Sequence, residues 1–467
     1  MKLSLDQLST SYEIFLKNTI QDMAKTEKQN QLLSFCFLVP DKFFVDDFSH
    51  LLNDIQEGFY SFADKDEFLA IGNIYSFSAE GALRWKNIEK QYTDFPQPII
   101  NSKEPPCIAS PLFLALVKFS ADKKSLEWEN FNNSEFYIPK FLIKSENDSL
   151  LFRYNVFVDP AFSIDNSVLE FASIAAKVFQ KTNEKENKIA VNYEGELNSF
   201  EERRVWNLKV EKALSEISTA SLVKVVLARK IPLSTKDPLH FGALLGRLKK
   251  ANPASNIFFI KKNDSLFLGA SPEILLELNN NNIKTEAIAG SRKRGRNAAE
   301  DFELENELRN SEKELNEHRS VVDFLTGILT GLASDIIYEK NPNIKKLASI
   351  QHLSTEITAK LKTGSSFFTI ADQISPTPAV CGYPKEKAMA LISELEDFDR
   401  GLYSGLIGWI SPSSAKLIVA IRSALINKNT IFVYAGCGIV EGSNPESEFA
   451  ETETKLKTIL SAFNEKN

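Results

Sequence analysis

Ile274-Leu275-Leu276-Glu277-Leu278, four asparagines at 279–282, and Ile283-Lys284-Thr285-Glu286-Ala287-Ile288 form the stretch that decides the fold. Two apolar runs flank a cluster of turn-forming residues, which is the mark of a β-hairpin. Just before it, Ile257-Phe258-Phe259-Ile260 and Leu266-Phe267-Leu268 flank Asn263-Asp264 and repeat the signal. Working outward, 198–217 has apolar residues at helical spacing (Phe200, Val205, Leu208, Val210, Ala213, Leu214), and 221–231 is β-branched and apolar. The periodicity predicts helices over 299–335, 389–397 and 445–464. It predicts strands over 404–410, 415–422 and 431–435. Upstream, Phe152, Tyr154, Val156 and Val158 alternate with Arg153, Asn155 and Phe157, which reads as a strand. Hairpins clustered between separated helices favour an α+β fold with a large antiparallel sheet over alternating βαβ units. A strand–GxGxxG–helix unit is also missing.

Composition narrows the function. The 467 residues are 43% hydrophobic and 25% charged, a globular balance that excludes disorder and fibres. The formal charge of −7 disfavours non-specific nucleic-acid binding, which needs a basic surface. No apolar run approaches the ~20 residues that span a bilayer, and Met1–Asp6 lacks a signal-peptide core. Four dispersed cysteines, at 36, 107, 381 and 437, give neither a zinc site nor a disulfide framework and suggest a reducing, cytoplasmic setting. The most polar stretch, 180–188, is the best internal boundary. It divides a motif-poor part, 1–190, from a motif-rich part, 191–467.

Several residues are candidates for chemistry. Glu314 and Glu317 share a helix face at i,i+3 spacing, and so do Glu448 and Glu451. If the two faces meet, four carboxylates need a cation, and all-oxygen ligands favour Mg²⁺ or Ca²⁺. If they do not meet, both are solvated acidic faces, with Lys455 an i,i+4 partner of Glu451. Lys224 lies within an apolar strand. It is either a buried lysine, usable as a base, or an edge residue that deters strand pairing. Five residues on, Arg229 falls on the opposite strand face. Glu273 closes a strand and is either a cap partner or a proton donor. Arg422 suits a carboxylate ligand or a core ion pair. Gly436-Cys437-Gly438 brings backbone amides near an anion or forms a plain turn. His352 shows no partner in the sequence.

Nine ordered motifs give these residues a context. They are Lys224–Arg229, Gly269-Ala-Ser-Pro-Glu273, Ala287-Ile-Ala-Gly-Ser291, Ser311–His318, His352-Leu353, Pro376-Thr-Pro-Ala379, Phe398-Asp-Arg400, Tyr434–Ile439 and Glu448-Phe-Ala-Glu-Thr452. Over roughly 220–460 the chain resembles the chorismate-utilising enzymes. That family includes isochorismate, salicylate, anthranilate and aminodeoxychorismate synthases. The resemblance implies one large α+β domain of two similar halves with extended antiparallel sheets, the N-terminal third included. It also implies Mg²⁺ on Glu317 and Glu451, with Glu314 and Glu448 supporting through water. Substrate would be bound by Ala289, Gly290, Ser291, His352, Thr377, Arg422, Tyr434, Gly436, Cys437, Gly438 and Lys455.

The same resemblance bears on the reaction. Water-adding members share a lysine at 224, where amine-adding members carry glutamine. Aminodeoxychorismate synthases carry a nucleophilic lysine where Ala289 stands. The implied reaction is therefore conversion of chorismate to isochorismate, with Lys224 as base and Glu273 as acid. The alternatives are elimination onward to salicylate and pyruvate, another synthase component, or a non-catalytic chorismate-binding subunit. No glutaminase partner is expected, and the chain would be a monomer or homodimer. Ser375 departs from the histidine of many members, and Glu314 from the aspartate of several.

Overall fold

The computed structural model describes residues 5–25, 31–39, 51, 55–63, 66–96, 99–100, 112–122, 125–146, 149–179, 194, 196–236 and 239–463. Two sheets, of twelve and ten strands, organise it. The first runs in the order Gly382–Tyr383, Lys224–Ser234, Thr430–Val440, Ser423–Asn427, Ser265–Ser271, Asn256–Lys262, Glu57–Ala63. It continues through N-terminal strands to Gln31–Val39 and Ile99–Ile100. The second contains, in order, Ala333–Tyr338, Ile350–Leu361, Asn282–Lys293, Ile274–Asn279, Ser414–Val419, Leu406–Ile410 and Phe113–Val117, then Ser134–Ile138 and Tyr75–Ala79. Pairing is antiparallel except at Gln31–Val39 with Ile99–Ile100.

Both expected hairpins are present. In the deciding one, Asn279 pairs with Asn282, so Asn280 and Asn281 make a two-residue turn. Asn280 has φ of 54° and Asn263, in the other hairpin, 52°. Asparagine tolerates this left-handed backbone better than most residues.

The core is layered. One cluster, with Phe59, Phe258 and Phe267 from the first sheet and Leu114, Tyr137 and Ile418 from the second, fills the space between the sheets. The outer face of the first sheet packs on helices Leu5–Lys25, Ile164–Phe179, Phe241–Ala251 and Pro445–Leu460. The outer face of the second packs on Arg84–Asp94, Glu312–Leu332 and Phe367–Ile374. Residues before and after 190 share both sheets: Glu57–Ala63 pairs with Asn256–Lys262, and Phe113–Val117 with Leu406–Ile410. The stretch 180–188 lies outside the described residues.

The chain crosses between sheets at two adjacent places. Ser265–Ser271 of the first sheet leads through Pro272-Glu273 to Ile274–Asn279 of the second. Ser414–Val419 of the second leads through Ala420-Ile421-Arg422 to Ser423–Asn427 of the first. The crossovers are bonded to each other: Val419 N donates to Glu273 O at 3.1 Å, Ala270 N to Arg422 O at 3.1 Å, and the Ser271 hydroxyl to Val419 O at 2.6 Å.

Two expectations need correction, and one strand was not expected. The helix expected over 299–335 is two helices, Ala298–Asn310 and Glu312–Leu332, and 333–338 is a strand. Ser311 breaks it: its backbone is extended, and its hydroxyl accepts from Glu314 N as the cap of the second helix. Periodicity alone runs through such a break, because both helices present apolar residues inward. The strand around 152–158 is buried on both faces instead of alternating, with Arg153 1% and Asn155 0% exposed, because both faces of the sheet are covered there. The twelve-residue strand Ile350–Leu361, which carries His352, gave no recognised sequence signal.

A buried ion pair ties the sheets together. Lys262 of the first sheet donates to Glu135 of the second, and its ammonium lies 5.0 Å from the Tyr137 ring centroid. Lys262→Met should lower unfolding stability by about 3 kcal/mol, because it leaves the Glu135 charge buried without its counter-charge, held only by the Asn132 amide at 3.0 Å. Chemical denaturation would measure this, and adding Glu135→Gln should recover part of the loss.

Candidate active site

One cavity gathers Lys224, Glu273, Ala289, Gly290, Ser291, Glu314, Glu317, His352, Arg422, Tyr434, Gly436, Gly438, Glu448, Glu451 and Lys455. Two expected residues stand behind its wall. Thr377 donates to Glu273 at 3.4 Å, and the Cys437 thiol turns into the core toward Glu448 O. Ile288, Lys313, Val380, Tyr403, Ser404 and Ile421 also line the cavity, and sequence reasoning gave them no role. Tyr403 follows the Phe398-Asp-Arg400 motif by three residues. Its ring stacks on Tyr434 with centroids 5.0 Å apart, a contact visible only once the strands are placed.

Lys224 begins strand Lys224–Ser234 and is 4% exposed, so the edge reading fails. Its Nζ lies 2.6 Å from Glu317 Oε1. The side chain reaches Glu317 across Gly438 of the paired strand, where a Cβ would come within 2.6 Å of Lys224 Cε. At Gly436 a Cβ would meet the Tyr403 hydroxyl at 3.0 Å. The two glycines lie in mid-strand, in Thr430–Val440, and form no tight turn. They are small because side chains from neighbouring elements pass over them.

Glu273 occupies one crossover, 5% exposed. Burial, with the nearby Glu286 charge, pushes its carboxyl up to about 7. Lys345, Thr377 and Lys224 oppose this only in part. Arg422 occupies the other crossover, with φ of 54°, a region that non-glycine residues seldom adopt. Burial lowers its guanidinium to about 10, and its buried Nη1 lacks a hydrogen-bond partner among the described residues.

His352 stands opposite a bulge where Gly290, at φ of +74°, interrupts the pairing of Asn282–Lys293 with Ile350–Leu361. Its Nδ1 lies 3.3 Å from Gly290 O, and its buried Nε2 has no partner among the described residues. Burial, then the charges of Arg422 and Lys455, hold the ring neutral, with its pKa at about 3. A neutral ring donating through Nδ1 offers Nε2 as an acceptor. A neutral acceptor and a guanidinium donor, both buried and both short of a partner, suit a ligand that carries hydroxyl and carboxylate groups.

The bulge also positions the acids. Ser291 N donates to Glu314 Oε2 at 3.1 Å, and Arg292 Nη1 to Glu314 Oε1 at 2.8 Å. Glu451 pairs with Lys455 at 2.7 Å, and Lys455 Nζ donates to Gly436 O at 2.9 Å. Burial works against ionisation of Glu451, but Lys455, with the positive charge around Arg422 in support, holds the carboxyl below the ordinary range. Glu448 is raised by burial and by the charge of Glu451. Among the described residues, no three acidic, imidazole or thiol groups stand close enough to hold an ion as the side chains lie. Glu317 is turned to Lys224, Glu451 to Lys455 and Glu314 to Arg292. The donor chemistry nevertheless fits a hard cation: four carboxylates from two helices face one cavity, and Glu448 is repelled by its neighbour.

The family model of the chorismate binding enzymes matches residues 18–464. The chain belongs to the chorismate-binding enzymes. It is 33% identical over 343 residues to the isochorismate synthase MenF of Bacillus subtilis, covering 73% of this chain and 72% of that protein. It is 34% identical over 270 residues to the isochorismate synthase EntC of Escherichia coli K12, covering 57% and 69%. The solved structure of the menaquinone-specific isochorismate synthase MenF from Escherichia coli superposes with a TM-score of 0.76 at 21% identity. That match covers 96% of this chain and 100% of the other, and it shows the shared fold. The family match begins well before 190.

The Gly438 passage makes a sharp test in this chorismate-binding enzyme. Gly438→Ala should cut turnover of chorismate by about 100-fold, as a misplacement of roughly 1 Å does. The melting temperature should stay close to that of the parent, which calorimetry alongside a steady-state assay would check.

Proposed function

We propose that the protein is an isochorismate synthase, an isomerase that converts chorismate to isochorismate. The observation that carries this is the pairing of Lys224 and Glu273, a buried amine and a buried acid lining one cavity. Adding water at C2 while losing hydroxide from C4 needs a base on one side and an acid on the other. Lys224, as the neutral amine released from Glu317, takes a proton from the water that attacks C2. Glu273 gives a proton to the hydroxyl leaving C4, and the ring double bonds shift between them. One water enters and one leaves, so no redox cofactor is required. Ala289 cannot form the covalent bond that a lysine there would make, which disfavours the amine-transferring outcome.

The other residues bind and orient. Arg422 offers its free Nη1 to a substrate carboxylate, and His352 offers Nε2 to a hydroxyl. Lys455, Tyr434, Ser291 and the strand at Gly436–Gly438 close the wall around them. Thr377 holds Glu273. Ser375 lies outside the cavity lining, and its carbonyl accepts from Lys385. Mg²⁺ would sit on Glu317 and Glu451, with Glu314 and Glu448 in support, and would fix and neutralise the ring carboxylate. Cys36, Cys381 and Cys437 are buried, and no described helix is long and apolar enough to cross a membrane. We place the enzyme in the cytoplasm, acting without a glutaminase, upstream of menaquinone or a catechol siderophore.

Incubating purified protein with chorismate and Mg²⁺, without ammonia, and following the ring protons by NMR tests the reading. Isochorismate without pyruvate is the expected product, lost on EDTA treatment and restored by Mg²⁺. Salicylate with pyruvate would instead make it a salicylate synthase, and no conversion would reject both.

The raised Glu273 gives a signed pH dependence. The proton donor is present below its pKa, so turnover should decline tenfold per pH unit above about 7. The slope should be absent from the residual activity of Glu273→Gln.

A further inference from the structure

We propose that Arg229 is a positioning residue that sets the register of the carboxylate helix Pro445–Leu460 against the strand that carries Lys224. Arg229 is 6% exposed and touches nothing in the cavity, yet its guanidinium meets this helix in three ways. It lies 3.8 Å from the centroid of the Phe449 ring, Nη1 donates to the Thr452 hydroxyl at 2.7 Å, and Nη1 also meets Glu453 at 3.1 Å. Phe449 and Thr452 each directly follow one of the cavity acids, Glu448 and Glu451. On its other side, Nη2 donates to Leu197 O at 2.7 Å, and Glu202 approaches at 3.4 Å. The fork therefore clamps the helix between the sheet and the start of helix Phe200–Ser218.

The geometry explains why this matters. Consecutive helix residues are about 100° apart, so a slip of one residue would carry Glu448 and Glu451 out of the cavity. Thr430–Val440 has no strand partner on its outer edge beyond Val433 among the described residues. Helix Pro445–Leu460 lies against that strand, so sheet hydrogen bonds do not fix its rotation. The buried Phe449, Leu456 and Ile459 seat the helix, and Arg229 adds a directional polar clamp beside the two acids. It sits on the face of Lys224–Ser234 that joins the cluster of Val225 and Leu227, opposite the face of Lys224. One strand thus sets both the base and, through Arg229, the acids. A lysine would keep the charge but could not stack and fork at once.

The inference rests on the metal reading above, and the test separates the two. Wild type, Arg229→Met, Arg229→Lys and Thr452→Val would be titrated calorimetrically with MgCl₂ in the absence of chorismate, then assayed for kcat and KM. Val210→Ala, a core truncation in the neighbouring helix, serves as a control for destabilisation. Arg229→Met should weaken Mg²⁺ binding about 10- to 100-fold, the range for residues that orient metal ligands. It should lower kcat more than it raises KM. Arg229→Lys should recover part of the affinity, and Val210→Ala should leave it unchanged. If Arg229→Met does not fold, Thr452→Val carries the test, with a smaller loss of affinity expected. Variant constants within twofold of wild type, or equal weakening by Val210→Ala, would overturn the inference. A wild type that binds no Mg²⁺ would refute the metal reading and this inference together.

Discussion

Everything in this molecule hangs on the paired crossover where two chain segments pass between the sheets side by side. Glu273 and Arg422 sit there because the backbone must leave one sheet and enter the other, and the segments hold each other through Val419 N to Glu273 O and Ala270 N to Arg422 O. Gly269 lets them approach: a Cβ would stand 2.9 Å from Arg422 O. A crossover between packed sheets is deep, so both ionisable side chains are desolvated. That single circumstance raises Glu273, lowers Arg422 and leaves Nη1 without a partner among the described residues. The strained backbone at Arg422 is the cost of aiming a cation into the cavity.

Around this point the fold adds charges from outside the sheets. Glu312–Leu332 brings Glu314 and Glu317, and Pro445–Leu460 brings Glu448, Glu451 and Lys455. Each acid is met by a cation or by another acid, so no charge stands without compensation or repulsion. Small residues make the meeting possible. Gly438 admits Lys224, Gly436 admits Tyr403, and Gly290 turns the bulge toward Glu314. A cavity rich in paired opposite charges suits a small polyanionic substrate that arrives with a hard cation, since both can exchange into existing pairs.

Much of this was legible in the chain. Both asparagine hairpins, the helix Phe200–Ser218, the C-terminal helix and the run of late strands follow from short-range rules, because hydrophobic period and turn chemistry are local. The i,i+3 spacing of the acids fixed which faces they share, and the motif order attached them to a family. The break at Ser311 was not legible as a break, since the cap and the apolar period give competing signals there. Burial on both faces of Ser149–Val158 was hidden too, because alternation cannot tell a sheet covered on both faces from one covered on a single face.

By itself the sequence determined the element types, the sharing of faces by Glu314 with Glu317 and Glu448 with Glu451, and the choice of lysine at 224 and alanine at 289. These depend on neighbours a few residues away or on side-chain chemistry alone. Only the tertiary structure decided that the two acidic faces open on one cavity, that Lys224 is buried instead of at an edge, and that Cys437 turns away while Tyr403 turns in. It also decided that Glu273 is a desolvated acid and not a cap partner. Burial and long-range charge are set by residues a hundred or more positions apart, and no local pattern encodes those distances.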